Sequence, residues 1–227
     1  MNLYIIVEGD KTELQVYPAW MKYLAPQLNR IDDAWDVSDN TYYMFSGGGI
    51  PSIYNHIIHS IQDINAINSK GEAKYDILMV CIDTEEDDRQ AIENRISSDI
   101  ASNNLKFNDF EIVVFEHKVC METWFLGNQN IFKRNPQDVT YREYIQFFNV
   151  ADCNPELMGT PNDEWTKAQF HYRYLRKMFS ERHMKYSKTN TKEVEKHTYL
   201  DQLILRYKET NDIGSFGRWY DFIRSLK

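Results

Sequence analysis

The segment Asp76–Ile82 narrows the choice of fold more than any other part of this chain. Its six consecutive apolar residues, Ile-Leu-Met-Val-Cys-Ile, are far fewer than the roughly 18 that a membrane helix needs. They also show no polar alternation, so they describe a strand buried on both faces, as in a parallel sheet covered by helices. The run passes directly into Asp83-Thr84-Glu85-Glu86-Asp87-Asp88 and then into a helical pattern through about Asn103. Leu3–Val7, ending in Glu8-Gly9-Asp10, is a second apolar strand. Thr41–Phe45, ending in Ser46-Gly47-Gly48-Gly49, and Phe110–Phe115 complete the set. Between them lie helical spacings. Leu14, Tyr17, Met21, Leu24, Ala25 and Leu28 mark one helix, and Ile53, Ile57, Ile58, Ile61, Ile64 and Ile67 mark another that Pro51 opens.

Strand and helix in alternation predict an α/β chain with a doubly wound, mainly parallel, four-stranded sheet. The common order for such a sheet, second-first-third-fourth, makes the first and third strands neighbours. Ligands bind at the carboxyl edge of these sheets, so Glu8 and Asp83 are expected to face one crevice. Residues 123–227 show no further clear parallel strand. They carry helical periodicity, for example over Tyr199–Tyr207 and Arg218–Leu226, with loops near 154–162 and 187–192. The expected division is an α/β domain over residues 1–126 and a mostly helical C-terminal extension or cap over 127–227.

With 227 residues, 42% of them hydrophobic, the chain can bury one sizeable core. Its net charge of −8 argues against nucleic acid as a partner until the distribution is considered. Residues 1–165 carry 12 Lys/Arg against 27 Asp/Glu, whereas residues 166–227 carry 14 against 7. An acidic body suits metal binding, and a basic C-terminal part suits phosphate; a set of solvated helices fits the charge split equally well. The N-terminus meets Glu8 without a basic segment and is expected to be a strand, not a leader. Cys81, Cys120 and Cys153 lack the spacing of a disulfide framework or a structural zinc site. A cytoplasmic, non-membrane protein is the expectation.

Acids clustered at strand ends repel one another and raise each other's pKa unless cations neutralise them. Hard divalent cations with oxygen ligands are the usual partners, and Mg²⁺ adds waters and substrate phosphate to one or two carboxylates. Taken singly, Glu8 and Asp10, or the run from Asp83 to Asp88, could equally be acidic first turns that complement a helix dipole.

The segment Val7-Glu8-Gly9-Asp10-Lys11-Thr12-Glu13 resembles the first Toprim motif, as written in the OLD-family nucleases and the RloB-like group. Asp83-Thr84-Glu85 is similar to the second motif, Asp-x-Asp, with Glu in its second acidic position. Met121-Glu122-Thr123-Trp124-Phe125-Leu126 resembles the Glu-x-Trp-hydrophobic-Leu segment of stand-alone Toprim proteins. The resemblance implies a Toprim-like fold and a Mg²⁺ or Mn²⁺ site formed by Glu8, Glu13, Asp83, Glu85 and Glu122. It implies hydrolysis of DNA or RNA phosphodiesters, with Glu8 as ligand or general base and Asp83 in the reacting centre. A late Tyr-x-Lys resemblance, Tyr186-Ser187-Lys188, implies Lys188 near the scissile phosphate; a solvated surface lysine is the competing expectation. The resemblance also implies a place in anti-phage defence, beside a separately encoded ATPase.

Other chemistries lack their motifs. Ser46-Gly47-Gly48-Gly49 is not followed by Gly-Lys-Ser/Thr, the six histidines form no His-x-x-x-His pair, and no Gly-x-Ser-x-Gly elbow occurs. Two rival functions stay open: a non-catalytic Toprim-like module that binds a partner or nucleotide, and a phosphohydrolase acting on a small nucleotide.

Overall fold

The computed structural model describes residues 1–85, 87–107 and 109–226, so Glu86 of the acidic run lies outside the described residues. Five strands form one parallel sheet: β1 (Leu3–Val7), β2 (Asn29–Ile31), β3 (Thr41–Ser46), β4 (Ile77–Asp83) and β5 (Glu111–His117), in the order β2-β3-β1-β4-β5. The α/β class, the parallel sheet and the order of the four apolar strands are as the sequence predicts. The strand count is corrected from four to five. β2 is a three-residue edge strand, Asn-Arg-Ile, paired with β3 from Asn29–Thr41 to Ile31–Tyr43. It buries none of its residues, and so it carries no apolar pattern to read.

The helices are α1 (Thr12–Leu24), α2 (Ser52–Lys70), α3 (Arg89–Ser102), α4 (Met121–Phe125), α5 (Val139–Phe147), α6 (Lys167–Glu181), α7 (His197–Thr210) and α8 (Gly214–Ser225). None is long and apolar enough to cross a membrane among the described residues. Two compact units result, one drawn from residues 1–82, 87–116 and 222–227, the other from 83–86 and 117–221.

In the first unit, successive side chains of each strand point to opposite faces of the sheet. Tyr4 and Ile6 of β1 and Leu78, Val80 and Ile82 of β4 share a core with Ile53, Ile57, Ile61, Ile64 and Ile67 of α2. Ile92 and Ile96 of α3 extend the same layer. On the other face, α1 packs against β3 and its Tyr17 hydroxyl reaches the Cys81 thiol. Helices therefore cover both faces, which explains why β1 is buried along its whole length. The segment after β3 is tied to β1 by Gly47 N–H donating to Val7 O (2.8 Å) and Gly49 N–H to Glu8 O (3.0 Å). All three cysteines are free thiols.

In the second unit, α6 is the central element. It buries Phe170, His171, Tyr174, Leu175, Met178 and Phe179, and it packs on α4 and α5. His171 connects α6 to α4. Its Nε2 faces the Met158 carbonyl at 2.9 Å, an oxygen that can only accept, so the proton sits on Nε2. Nδ1 then accepts from the Thr123 hydroxyl at 2.7 Å. Burial lowers the His171 pKa from 6.5 to about 4. Between those values the unfolded chain binds a proton on this ring that the folded chain refuses. Stability is therefore complete above about pH 6.5 and falls as pH drops towards 4, by up to about 3 kcal/mol from this group. Urea denaturation at pH 7 and pH 5 should show that loss, and His171→Gln should reduce the difference between the two pH values while lowering stability at pH 7.

Candidate metal centre

Asp83 and His117 are the last residues of β4 and β5. The two segments that follow are joined by main-chain bonds: Thr84 N–H donates to His117 O (3.1 Å) and Glu85 N–H to Val119 O (3.0 Å). Val119 N–H donates to Thr84 Oγ1 at 2.9 Å. Glu85 and Val119 both adopt left-handed backbone, with φ of 48° and 72°. For a β-branched valine this is a strained conformation that costs about 1–3 kcal/mol, and the surrounding bonds hold it there.

His117 is fully buried, its ring edge-on to Trp124 with centroids 4.6 Å apart. Its Nδ1 lies 2.7 Å from Asp83 Oδ1. Burial is the main cause that pushes Asp83 well above the usual carboxylate range, followed by the charge of Glu122; Glu85 acts in the same sense. Lys188 and the Met121 backbone amide oppose the shift. Glu122 stands in the first turn of α4, is 3% exposed, and accepts a 2.9 Å hydrogen bond from the Tyr186 hydroxyl. Two acids here share one low-dielectric environment, a condition that a divalent cation relieves.

Glu13 lies in the first turn of α1 and is 6% exposed. Its carboxylate folds back over the preceding turn and accepts from Gly9 N–H at 3.1 Å. A Cβ at position 9 would collide with that carboxylate. The glycine of Glu8-Gly9 thus makes room for the acid four residues later. Glu13, Asp83 and His117 each offer one ligand atom, and the three atoms lie within 4.8 Å of one another. Two carboxylate oxygens and an imidazole nitrogen form a donor set that fits a divalent cation.

The expected residues are placed unevenly around that group. Glu13 and Asp83 belong to it. Glu122 stands outside it, yet its charge bears directly on Asp83. Lys188 is exposed and its charge also reaches Asp83. Glu85 is exposed and outside the group. Glu8 is outside it as well; its main chain is fixed by a 3.0 Å bond from its N–H to Cys81 O and by the Gly49 bond to its carbonyl. His117 is the member that sequence reading missed. The available signal was its place just past the strand Phe-Glu-Ile-Val-Val-Phe, equivalent to that of Asp83 after its own apolar run.

No family model, no curated protein and no solved structure matches the chain.

The Gly9 geometry has a direct consequence. Gly9→Ala is expected to displace the Glu13 carboxylate and to weaken Mn²⁺ binding by about ten- to a hundred-fold, the range seen when a ligand's support is removed. Titration calorimetry with Mn²⁺, beside Glu13→Gln as a reference, checks this. Equal affinity in Gly9→Ala and the wild type would remove Glu13 from the ligand set.

Proposed function

We propose that this protein is a metal-dependent phosphodiesterase of Toprim type that hydrolyses DNA or RNA. The observation that carries the proposal is the convergence of Glu13, Asp83 and His117 on a space small enough for one cation. Mg²⁺ or Mn²⁺ is the proposed ion, and the imidazole favours Mn²⁺ of the two. When bound, such an ion polarises a phosphoryl oxygen and makes its water more acidic.

In this reading the chain's own residues divide the work. Glu13 and Asp83 hold the cation. His117, within hydrogen-bond distance of Asp83, orients that carboxylate or adds its own nitrogen as a ligand. Glu122, kept in place by Tyr186, contributes negative charge that strengthens cation binding. Lys188 supplies a positive charge for the oxygen that gains charge as the ester bond breaks. Glu8 is assigned the role of general base or further ligand, and Glu85 that of an outer ligand. A second reading, a binding module without catalysis, draws support from Glu85, which is an exposed residue in a left-handed turn where the resembled motif has aspartate.

Incubation of the protein with single- and double-stranded DNA and RNA, with Mg²⁺ or Mn²⁺ and with EDTA, tests the proposal. Cleavage is expected only with the metal, and Asp83→Asn and Glu13→Gln should each reduce its rate by about a hundred-fold or more, the loss of roughly 3 kcal/mol of transition-state stabilisation. Activity that survives Asp83→Asn or chelation would reject the site. Metal binding without cleavage of any of the four substrates would favour the binding module.

A further inference from the structure

The second unit carries a separate surface feature in the basic part of the chain. Two adjoining hollows of about 280 and 480 Å³ lie along α6 and share Arg173 and Arg176. Both arginines are exposed, and each is seated on an aromatic ring. Arg173 lies over Trp165 at 4.8 Å from the ring centre, and Arg176 lies over Tyr172 at 5.5 Å. Cation–π seating of this kind fixes a guanidinium in position while leaving its N–H edge available for phosphate oxygens. The ring beneath Arg173 is itself fixed, since Trp165 stacks on the buried Phe170 with centroids 6.0 Å apart and planes 8° apart. Lys177, one helical position further along, is already bound to Asp138 at 2.6 Å. The available cations are therefore the two seated arginines.

We infer that the α6 hollows form a groove for single-stranded nucleic acid, in which the N–H edges of Arg173 and Arg176 contact phosphates and unpaired bases stack on the outer faces of these guanidinium planes, which Trp165 and Tyr172 support from beneath. Aromatic platforms beside ordered positive charge are the features that single-strand binders combine, and a duplex withholds its base faces from them. Side-chain contacts connect the lining of the larger hollow to the acidic residues. The Tyr172 ring lies 6.1 Å from that of Tyr186, and the Tyr186 hydroxyl donates to Glu122, whose charge acts on Asp83. A strand held on α6 would thus rest on a residue, Tyr172, that is two side-chain contacts from Glu122. Glu164 lines the larger hollow and opposes phosphate binding. The inference names the substrate form for the phosphodiesterase proposed above and rests on that reading for its chemistry, whereas binding is measured without cleavage.

Fluorescence anisotropy in EDTA, with labelled oligo(dT) and oligo(U) of about 20 nucleotides and a duplex of equal length, provides the test; this exceeds the roughly 4–16 nucleotides that one single-strand-binding fold covers. The single strands should bind at least about ten-fold more tightly than the duplex. Arg173→Glu/Arg176→Glu should weaken them by about ten-fold or more and lower the log–log salt slope by about 1.4, the value for two phosphate contacts. Arg173→Lys/Arg176→Lys should keep most of that slope. Trp165→Ala should weaken binding about five-fold with the slope unchanged, and Glu164→Gln should tighten it. Unchanged affinity in the doubly reversed variant, with native circular dichroism and melting, would overturn the groove, as would equal or tighter binding of the duplex. If that variant does not fold, unchanged affinity in both Trp165→Ala and Glu164→Gln overturns it instead. Single-strand binding without metal-dependent cleavage would reject the phosphodiesterase and leave the groove standing. Cleavage with an unaltered KM in Arg173→Glu/Arg176→Glu would reject the groove alone.

Discussion

The contact between His117 and Asp83 organises the region around the candidate metal centre. It joins the last residues of two strands at 2.7 Å, with the imidazole fully buried against Trp124. An aspartate in that position is costly, because burial and the Glu122 charge both favour its protonated form. The surrounding structure leaves the Asp83 side chain only partly exposed, at 18%. It also adds a strained Val119, a left-handed Glu85 and three cross-loop hydrogen bonds. Expenditure on that scale in so few residues is typical of a functional site, and a bound cation is the simplest agent that offsets the carboxylate repulsion.

Glu13 depends on a different kind of constraint, one of volume. Its carboxylate occupies the space that a side chain at position 9 would fill, and the Gly9 amide donates to it. The Glu-Gly pair at the end of β1 is therefore a physical unit with the acid four residues on. In the second unit, Glu122 is positioned by similar means: Thr123 beside it is bound to His171 of α6, and Tyr186 holds its carboxylate. Glu13 is thus restrained by a partner four residues before it, and Glu122 by one 64 residues after it.

This explains what could and could not be read from the sequence. The four apolar strands and their order were legible because β1 and β4 are buried on both faces, and burial on both faces leaves an unbroken hydrophobic run. β2 was not, since a three-residue, solvent-facing edge strand has no such run. Strand ends were read short: Phe110–Phe115 was the visible apolar core of a strand that continues to His117. The apolar run stops there because Glu116 and His117 are polar in sequence although both are buried. The two lost residues include the one that contacts Asp83. Glu13 and Asp83 were found through motif resemblance and strand ends, whereas His117 required knowledge of which strand ends lie side by side.

The charge division of the sequence acquires a structural meaning from the same comparison. A basic surplus in residues 166–227 says nothing about whether the cations are ordered, and Lys177 and Lys196, each bound to a carboxylate, do not add available charge. Arg173 and Arg176 differ because rings, not acids, support them, so their charge is retained while their conformational freedom is reduced. Tyr172 joins that surface to Tyr186 and Glu122, and no charged side chain is needed along the way. An acidic cluster that binds cations and a basic surface that binds phosphates would neutralise each other if they were in direct contact. Within the second unit, Tyr172 and Tyr186 stand between the α6 arginines and Glu122 and keep the two charges apart.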